Sequence, residues 1–392
     1  MRSSKAICDT VALKICKDDF KITKPDLFNP SATTVLNYRG KGTIQAFQTM
    51  TAQDKLNHKY KPKLAIKREQ RVGGYETSLY IELSLPKLIY GNNLQEVCDD
   101  DFSKILHKLK EILEQMGVIV ELNTLRFAHV CRFHSCKNVI LPDGLSTVFI
   151  VSELAKEYIG HQFDNGQTNY KNGGHCIRFH TNEYEIAAYD KMMDIKQLKK
   201  SAKRCTDDES HRDFQNIDIS QFGNLQVFRL ENRLNTAKVI RRKLKEAGVN
   251  YDESKDLTFD FMYDSDISQK LNCYFWKRMI NAGSLIFRLN ENSKTIWGKL
   301  CNSLKQIKLL AVIGLWQLIR DCGMPYVRNI LNKTPTIRNL FKILKDYQDD
   351  DDWKEKIFEQ IGKAIEENKV IQLPTSKTEG YKNKLEVEQN IN

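Results

Sequence analysis

The sequence predicts an α+β fold, in which a central antiparallel sheet with flanking helices is followed by an all-helical C-terminal domain. Short segments between residues 71 and 250 carry apolar side chains at every second position, as half-buried strands do. Amphipathic helical segments separate them, and after about residue 250 the helical period holds throughout. We therefore expect a weakly patterned region at 1–70, a sheet domain at 71–250, a helical domain at 251–373 and a disordered tail at 374–392.

The charge balance favours a polyanionic partner. The chain has 392 residues, and Lys+Arg 61 against Asp+Glu 50 leaves a formal net charge of +11. Such an excess suits nucleic acid, although many basic proteins bind none. The basic run at 55–71 fits either phosphate contacts or an ordinary solvated face.

Several classes of protein are disfavoured by what the sequence lacks. Its ten cysteines include no C-x-x-C pair, which argues against a zinc motif or a disulfide framework. There is no P-loop and no G-x-S-x-G element, so neither an ATP motor nor a serine hydrolase is supported. Without a signal peptide or a long apolar run, we expect a soluble, cytoplasmic protein with no membrane partner.

The first predicted strand spans residues 77–85. Leu79, Ile81 and Leu83 face one way, and Glu82 faces the other. Pro86 is expected to end the strand, and residues 91–93 form a turn. An amphipathic helix follows at 102–116, with acidic residues 99–101 at its positive N-terminus.

The second predicted strand spans residues 125–136. Its polar face holds Arg132 and His134, and strict alternation adds Arg126 and Val130 to the same face. Phe133 lies on the more apolar face. A helix is expected at 148–159.

The hairpin and the strand that come next carry most of the candidate site. A strand at 175–180, with Arg178 on one face, turns at 181–183 into a second arm at 185–190. The basic helix expected at 191–203 contains Lys196 and Lys199. The last strand, 225–234, places Arg229, Glu231 and Arg233 opposite its apolar face, and a basic helix at 238–247 ends at a glycine.

The C-terminal part is predicted to be helical. The segment around residues 321–331 is compatible with a helix-turn-helix, a geometry that is also common in all-α domains. The predicted helices are 267–281, 295–306, 308–322, 326–331, 336–347 and 353–368.

Tyr189 and Lys191 are the residues with the clearest chemical meaning. If the strand continues to Lys191, both side chains share one face. A nearby ammonium favours phenolate and binds phosphate, so the pair suits attack of a tyrosine oxygen on a DNA phosphodiester. The alternative is a half-buried strand tyrosine next to a solvated lysine.

The strands that carry Glu82, His134, Tyr189 and Glu231 fit side by side in one antiparallel sheet. Carboxylates and an imidazole would then surround the tyrosine, and Glu82, His134 and Glu231 would bind Mg²⁺ or Mn²⁺. Glu231 also suits a catalytic acid or base. The cations expected to contact phosphate or DNA are Lys191, Arg132, Arg178, Arg229, Arg233, Lys87, Lys196 and Lys199.

Five segments together resemble the gene II/gene X replication proteins of filamentous phages and related plasmids. The resemblance covers residues 65–250, with weaker similarity to about 335. The segments are YIELSLPKLIYGNN at 80–93, CRFHSCKN at 131–138, AAYDK at 187–191, FRLENR at 228–233 and DCGMP at 321–325. AAYDK is similar to the segment that carries the nicking tyrosine of that family, and FRLENR is similar to its R-x-E-x-[RK] strand.

The resemblance implies a Rep nickase-like fold and rolling-circle replication initiation. The enzyme would nick one strand of supercoiled double-stranded DNA at the origin in a Mg²⁺-dependent reaction. It would leave a free 3′-hydroxyl, hold the 5′ end on tyrosine, and later rejoin the displaced single strand without ATP. Host helicase and polymerase are the expected partners, in the cytoplasm of a bacterial host.

One position departs from the family pattern. His134 stands where the family has Asp, so either the metal is kept with a different ligand or the site is weakened. A non-catalytic basic protein that regulates or coats replicating DNA is the alternative function. The sequence specifies neither the origin nor the oligomeric state.

Overall fold

A computed structural model gives the architecture of the chain. It describes residues 5–30, 43–71, 74–142, 145–156, 169–171, 174–201, 214–252, 256–283, 306–322, 327, 331, 335–346 and 352–371. Within these ranges no helix is both long and apolar enough to cross a bilayer. The predictions at 295–305, 323–325 and 374–392, and most of 326–331, lie outside the described residues.

A ten-stranded antiparallel sheet dominates the described part of the chain. Its strand order is β3-β4-β5-β6-β1-β8-β12-β11-β10-β9, and β2 pairs with β7 separately. The strands are β1 Thr10–Cys16, β2 Phe20–Ile22, β3 Asn29–Pro30, β4 Thr43–Gln48, β5 Lys63–Arg71, β6 Gly74–Ser84, β7 Val118–Val120, β8 His129–Ile140, β9 Asn169–Lys171, β10 Cys176–His180, β11 Tyr184–Asp190 and β12 Val227–Leu234.

Helices pack against this sheet. The described helices are α1 Ala52–Leu56, α2 Leu85–Tyr90, α3 Phe102–Gln115, α4 Leu122–Arg126, α5 Thr147–Lys156, α6 Lys191–Ser201, α7 Ala237–Glu246, α8 Phe259–Met262, α9 Ser265–Gly283, α10 Gln306–Cys322, α11 Pro335–Asp346 and α12 Asp352–Glu367. The α+β class and the antiparallel sheet predicted from the sequence are therefore confirmed.

The hydrophobic core lies between the sheet and the helices α3, α5, α9 and α12. The predicted stripe of α3 is buried, as are Leu79, Ile81 and Leu83 of β6. Phe275 and Trp276 of α9 belong to the same core cluster as these strand residues. The opposite sheet face carries the polar side chains and holds the candidate site.

Two predicted boundaries differ from the structure. The first 70 residues are not a separate region, because they supply β1 to the centre of the sheet and most of β3, β4 and β5 to one side. The helices after residue 250 are not all separate from the sheet either. Helix α9 packs on β8 and β12, and Asn272 donates a hydrogen bond to the carbonyl of Cys136.

Two strand boundaries near the site differ from the predictions, the end of β6 by one residue and the start of β8 by four. Residues 122–126 form helix α4, so Arg126 precedes β8 instead of belonging to it. Leu85 and Pro86 begin helix α2, where proline fits the first turn. In β8 a bulge also breaks the alternation: Ala12 of β1 pairs with Arg132, but Leu13 pairs with Val130. Val130 and Phe133 therefore both reach the core.

Candidate functional site

Three of the four strands predicted to lie together, β8, β12 and β11, are successive neighbours in the sheet. The fourth, β6, is separated from β8 by β1. On the polar face, Arg229 of β12 pairs in register with Tyr189 of β11, and Glu231 pairs with Cys136 of β8. Arg233 pairs with His134 across the same two strands. Strand register thus brings side chains far apart in sequence onto one face.

Tyr189 and Glu231 form the centre of the site. The hydroxyl of Tyr189 donates a 2.7 Å hydrogen bond to Oε2 of Glu231. Burial raises the pKa of the Tyr189 phenol well above its usual value, with Arg229 opposing the shift. Tyr189 is 9% exposed, so its ring is packed but its oxygen already contacts a carboxylate.

Two arginines hold the Glu231 carboxylate. Nε of Arg233 donates to Oε1 at 2.8 Å, and Nε of Arg229 lies 3.7 Å from Oε2. Burial alone raises the pKa of a carboxyl, but here Arg233 and then Arg229 outweigh burial and lower the pKa of Glu231 well below its usual range. Glu231 is therefore ionised at neutral pH.

Asp9 is a site residue that the sequence analysis missed. Its Oδ2 lies 3.0 Å from the guanidinium of Arg229, and Ser84 donates to its Oδ1 at 2.9 Å. Arg229 also donates to the carbonyl of Asn93 at 2.8 Å. The available signal was the apolar alternation of residues 11, 13 and 15, which marks a strand beginning beside Asp9.

Glu185 was also missed, although it precedes the tyrosine by four residues. Its carboxylate accepts from Arg233 at 2.8 Å and lies 3.9 Å from Nε of Arg178. His180 lies 3.1 Å from the same carboxylate. The spacing of Glu185 and Tyr189 on one strand face was sufficient to find it.

Lys191 contributes from a helix, not from the strand. It is the first residue of α6, and its ammonium lies 5.7 Å from the centre of the Tyr189 ring. The same ammonium donates to Asp194 at 2.7 Å. The predicted proximity of lysine and tyrosine is confirmed, but the helical start replaces the shared strand face.

The remaining predicted DNA contacts differ in accessibility. Arg132, Arg178 and Arg233 are partly exposed along the polar face. Lys196 is exposed on α6, and the side chain of Lys199 lies outside what the structure describes. Lys87, Lys191 and Arg229 do not fit the prediction, because they are 3%, 1% and 1% exposed and have no access to a DNA phosphate in this conformation.

The three predicted metal ligands have other partners. Glu82 accepts a 2.7 Å hydrogen bond from Arg132, and Glu231 is held by two arginines. Nδ1 of His134 lies 3.7 Å from Oε1 of Glu231, and its buried Nε2 has no hydrogen-bond partner among the described atoms. Burial lowers the pKa of His134 to about 4, so the imidazole is neutral.

This donor set does not fit Mg²⁺ as arranged. A divalent ion on Glu231, roughly 4 Å from a guanidinium, would meet a repulsion of about 8 kcal/mol from that group at an effective dielectric constant of about 20. Mg²⁺ also prefers several oxygen ligands, and the orphan Nε2 of His134 supplies a nitrogen. Within the described ranges, no three His, Cys, Asp or Glu side chains are placed to bind a metal together.

The arrangement can orient a phenol, accept its proton and present cations to an anion. It joins a hydroxyl nucleophile, an ionised carboxylate and partly exposed guanidinium groups on one sheet face. No protein-family model matches this chain, and neither the curated proteins nor the solved structures give a match.

Proposed function

We propose that the chain is a rolling-circle replication initiator that nicks DNA through attack by Tyr189. The observation that carries the proposal is the 2.7 Å hydrogen bond from the Tyr189 hydroxyl to Glu231, flanked by arginines on the polar face of the sheet. The likeness of the surrounding segments to gene II/gene X proteins supports the same function. Without that likeness, the geometry favours only a tyrosine nucleophile for an anionic substrate.

The reaction follows from the contacts of the tyrosine. As its oxygen attacks a phosphodiester phosphorus, the phenolic proton passes to Glu231. The bond from phosphorus to the 3′ oxygen breaks, and its electron pair stays on that oxygen, which takes up a proton from water. The products are a 5′-phosphotyrosine and a free 3′-hydroxyl. Attack by a 3′-hydroxyl on the phosphotyrosine reverses these steps and rejoins a strand.

The arginines have separate parts in this proposal. Arg233 and Arg132 are partly exposed and would contact the phosphate or the strand beside it. Buried Arg229 would hold Glu231 in place. Arg178 and Lys196 would contact the flanking strand, in the bacterial cytoplasm where host helicase and polymerase act on the opened origin.

A covalent trapping assay tests the proposal. A library of random-sequence single-stranded DNA, labelled at its 3′ end, is incubated with the full chain and then run on a denaturing gel. Attack by tyrosine leaves the labelled 3′ fragment on the protein, so a slow-moving labelled adduct is expected. Tyr189→Phe should abolish the adduct, whereas Tyr75→Phe, which changes an exposed tyrosine of β6, should not. An undiminished adduct in Tyr189→Phe contradicts the assignment.

The second candidate is a DNA-binding protein that does not cut. Its support is that Tyr189 is mostly buried and that Arg132, Arg229 and Arg233 each have a carboxylate partner. DNA binding by the wild type with no adduct, in the presence of Mg²⁺ or Mn²⁺, would favour it. The salt dependence of binding does not discriminate, because both candidates neutralise phosphates.

A further inference from the structure

We propose that strand transfer at Tyr189 needs no divalent metal, because guanidinium groups supply the positive charge that the gene II/gene X resemblance assigns to Mg²⁺. This inference rests on the proposed function. It contradicts the magnesium requirement expected from the resemblance, so one set of measurements decides between them.

The carboxylates of the site are already occupied by arginines. Both oxygens of Glu231 have partners: Oε2 accepts from Tyr189, and Oε1 accepts from Arg233. Glu82 lies on β6, which β1 and β8 separate from the strand of Glu231, and it accepts from Arg132 of β8. A metal would have to displace an arginine from each carboxylate before it found two oxygen ligands.

A fixed positive charge is already present beside the tyrosine. Arg229 is 1% exposed and fixed from two sides by Asp9 and the carbonyl of Asn93. It therefore stays beside Glu231 throughout. Arg229 does not reach the phosphate, but it pairs in register with Tyr189, and a preorganised cation of this kind stabilises negative charge on the tyrosine oxygen without being rearranged during the reaction.

Arg233 is placed to exchange a carboxylate for a phosphate. Its guanidinium spans Glu231 and Glu185 and remains about a quarter exposed. Two non-bridging phosphate oxygens can take the place of a carboxylate in a bidentate contact with arginine. Arg233 can thus move from Glu185 to a substrate phosphate and keep its bond to Glu231.

The decisive experiment repeats the trapping assay with full-length protein stripped of metal, in excess EDTA and with added Mg²⁺ or Mn²⁺. We expect adduct yields that differ by no more than about threefold, a range that allows for the effect of ions on DNA binding. Adduct that falls by about 100-fold or more in EDTA and returns with Mg²⁺ or Mn²⁺ would overturn the inference and leave the proposed function intact. Adduct absent under every condition would overturn both.

A variant tests the arginine directly. Arg233→Lys keeps the charge but loses the bidentate geometry, so adduct formation should fall by about 100-fold or more at saturating DNA, with or without Mg²⁺. Arg241→Lys, on the surface of α7, is the matched control and should retain wild-type yield. Equal yields from both variants, with circular dichroism confirming their folding, would remove Arg233 from the reaction.

Binding of Mn²⁺ provides a readout that is independent of DNA cleavage. Electron paramagnetic resonance of the full chain should detect no stoichiometric Mn²⁺ site that depends on Glu231. The amount of Mn²⁺ bound per chain should therefore be the same in the wild type and in Glu231→Gln. Such a site in the wild type, absent from Glu231→Gln and unaffected by Glu111→Gln on the exposed side of α3, would overturn the inference.

Discussion

Replacing Glu231 by glutamine should destabilise the folded protein while keeping the shape of the side chain. Glu231 is 5% exposed and touches two arginines, so the change leaves buried positive charge without one of its partners. The amide oxygen can still accept the hydrogen bond of Tyr189. The loss is therefore mainly electrostatic.

The size of the effect follows from what each arginine retains. Removing one partner of a buried ion pair costs about 3–5 kcal/mol. Arg229 keeps Asp9 at 3.0 Å, and Arg233 keeps Glu185 at 2.8 Å. We therefore expect the lower end of that range, about 3 kcal/mol of unfolding free energy at pH 7.

The effect should also depend on pH in a stated direction. The arginines lower the pKa of folded Glu231, so its carboxylate stabilises the fold above the unfolded value of about 4.3. That contribution is lost as the pH falls through the folded pKa. The deficit of Glu231→Gln should thus be largest near neutral pH and shrink in acid.

Urea unfolding followed by tryptophan fluorescence measures both quantities. Glu111→Gln, whose carboxylate forms a surface pair with Lys108, is the control and should change the free energy by less than about 1 kcal/mol. A deficit for Glu231→Gln as small as that of the control, or one of equal size at pH 7 and in acid, would refute the argument.

Two further predictions use pairs of variants and the same urea assay. Lys137→Met removes the buried ion-pair partner of Glu96, at 2.6 Å and 3% exposed on both sides, but Glu96 keeps the backbone N–H groups of Asn138 and Ile371, so the change should cost about 3 kcal/mol. Lys104→Met at the surface should cost less than about 1 kcal/mol, and equal effects would contradict the burial argument. Gly117→Ala and Gly248→Ala both put alanine at positive φ, +78° and +70°, but only at Gly117 would the new Cβ lie 2.5 Å from a neighbouring side-chain carbon. Gly248→Ala should cost about 1 kcal/mol and Gly117→Ala roughly 1–3 kcal/mol more, so similar losses would exclude a steric contribution.

The sheet was largely predictable because its strands alternate strongly. Leu79, Ile81 and Leu83 identified β6, and Phe228 and Leu230 identified β12. The bulge in β8 was not predictable from period alone, since one extra residue moves Val130 to the core without any change in composition. Local propensity also does not show that the first β-strand lies at the centre of the sheet.

The site was predictable in part, for a similar reason. The R-x-E-x-R alternation placed Arg229, Glu231 and Arg233 on one face, since strand geometry fixes that relation locally. The alternation of β1 marks the strand beside Asp9, but the role of Asp9 was not predictable, because it depends on β1 lying between β6 and β8, a pairing across long sequence separations. The burial of Lys87 was not predictable either, because its position in the motif gives no sign of it.

The charges of the site bear on how DNA would meet it. Eight charged groups around the site cancel one another, namely Arg132, Arg178, Arg229 and Arg233 with Glu82, Glu185, Glu231 and Asp9, and Lys191 is paired with Asp194. The chain nevertheless carries +11, so its excess positive charge lies elsewhere. Under the proposed function, attraction of the DNA backbone and chemistry at Tyr189 would thus be tasks of different residues. A phosphate that reaches the tyrosine must displace a carboxylate from an arginine, and this exchange favours DNA held in one register over DNA that merely lies nearby.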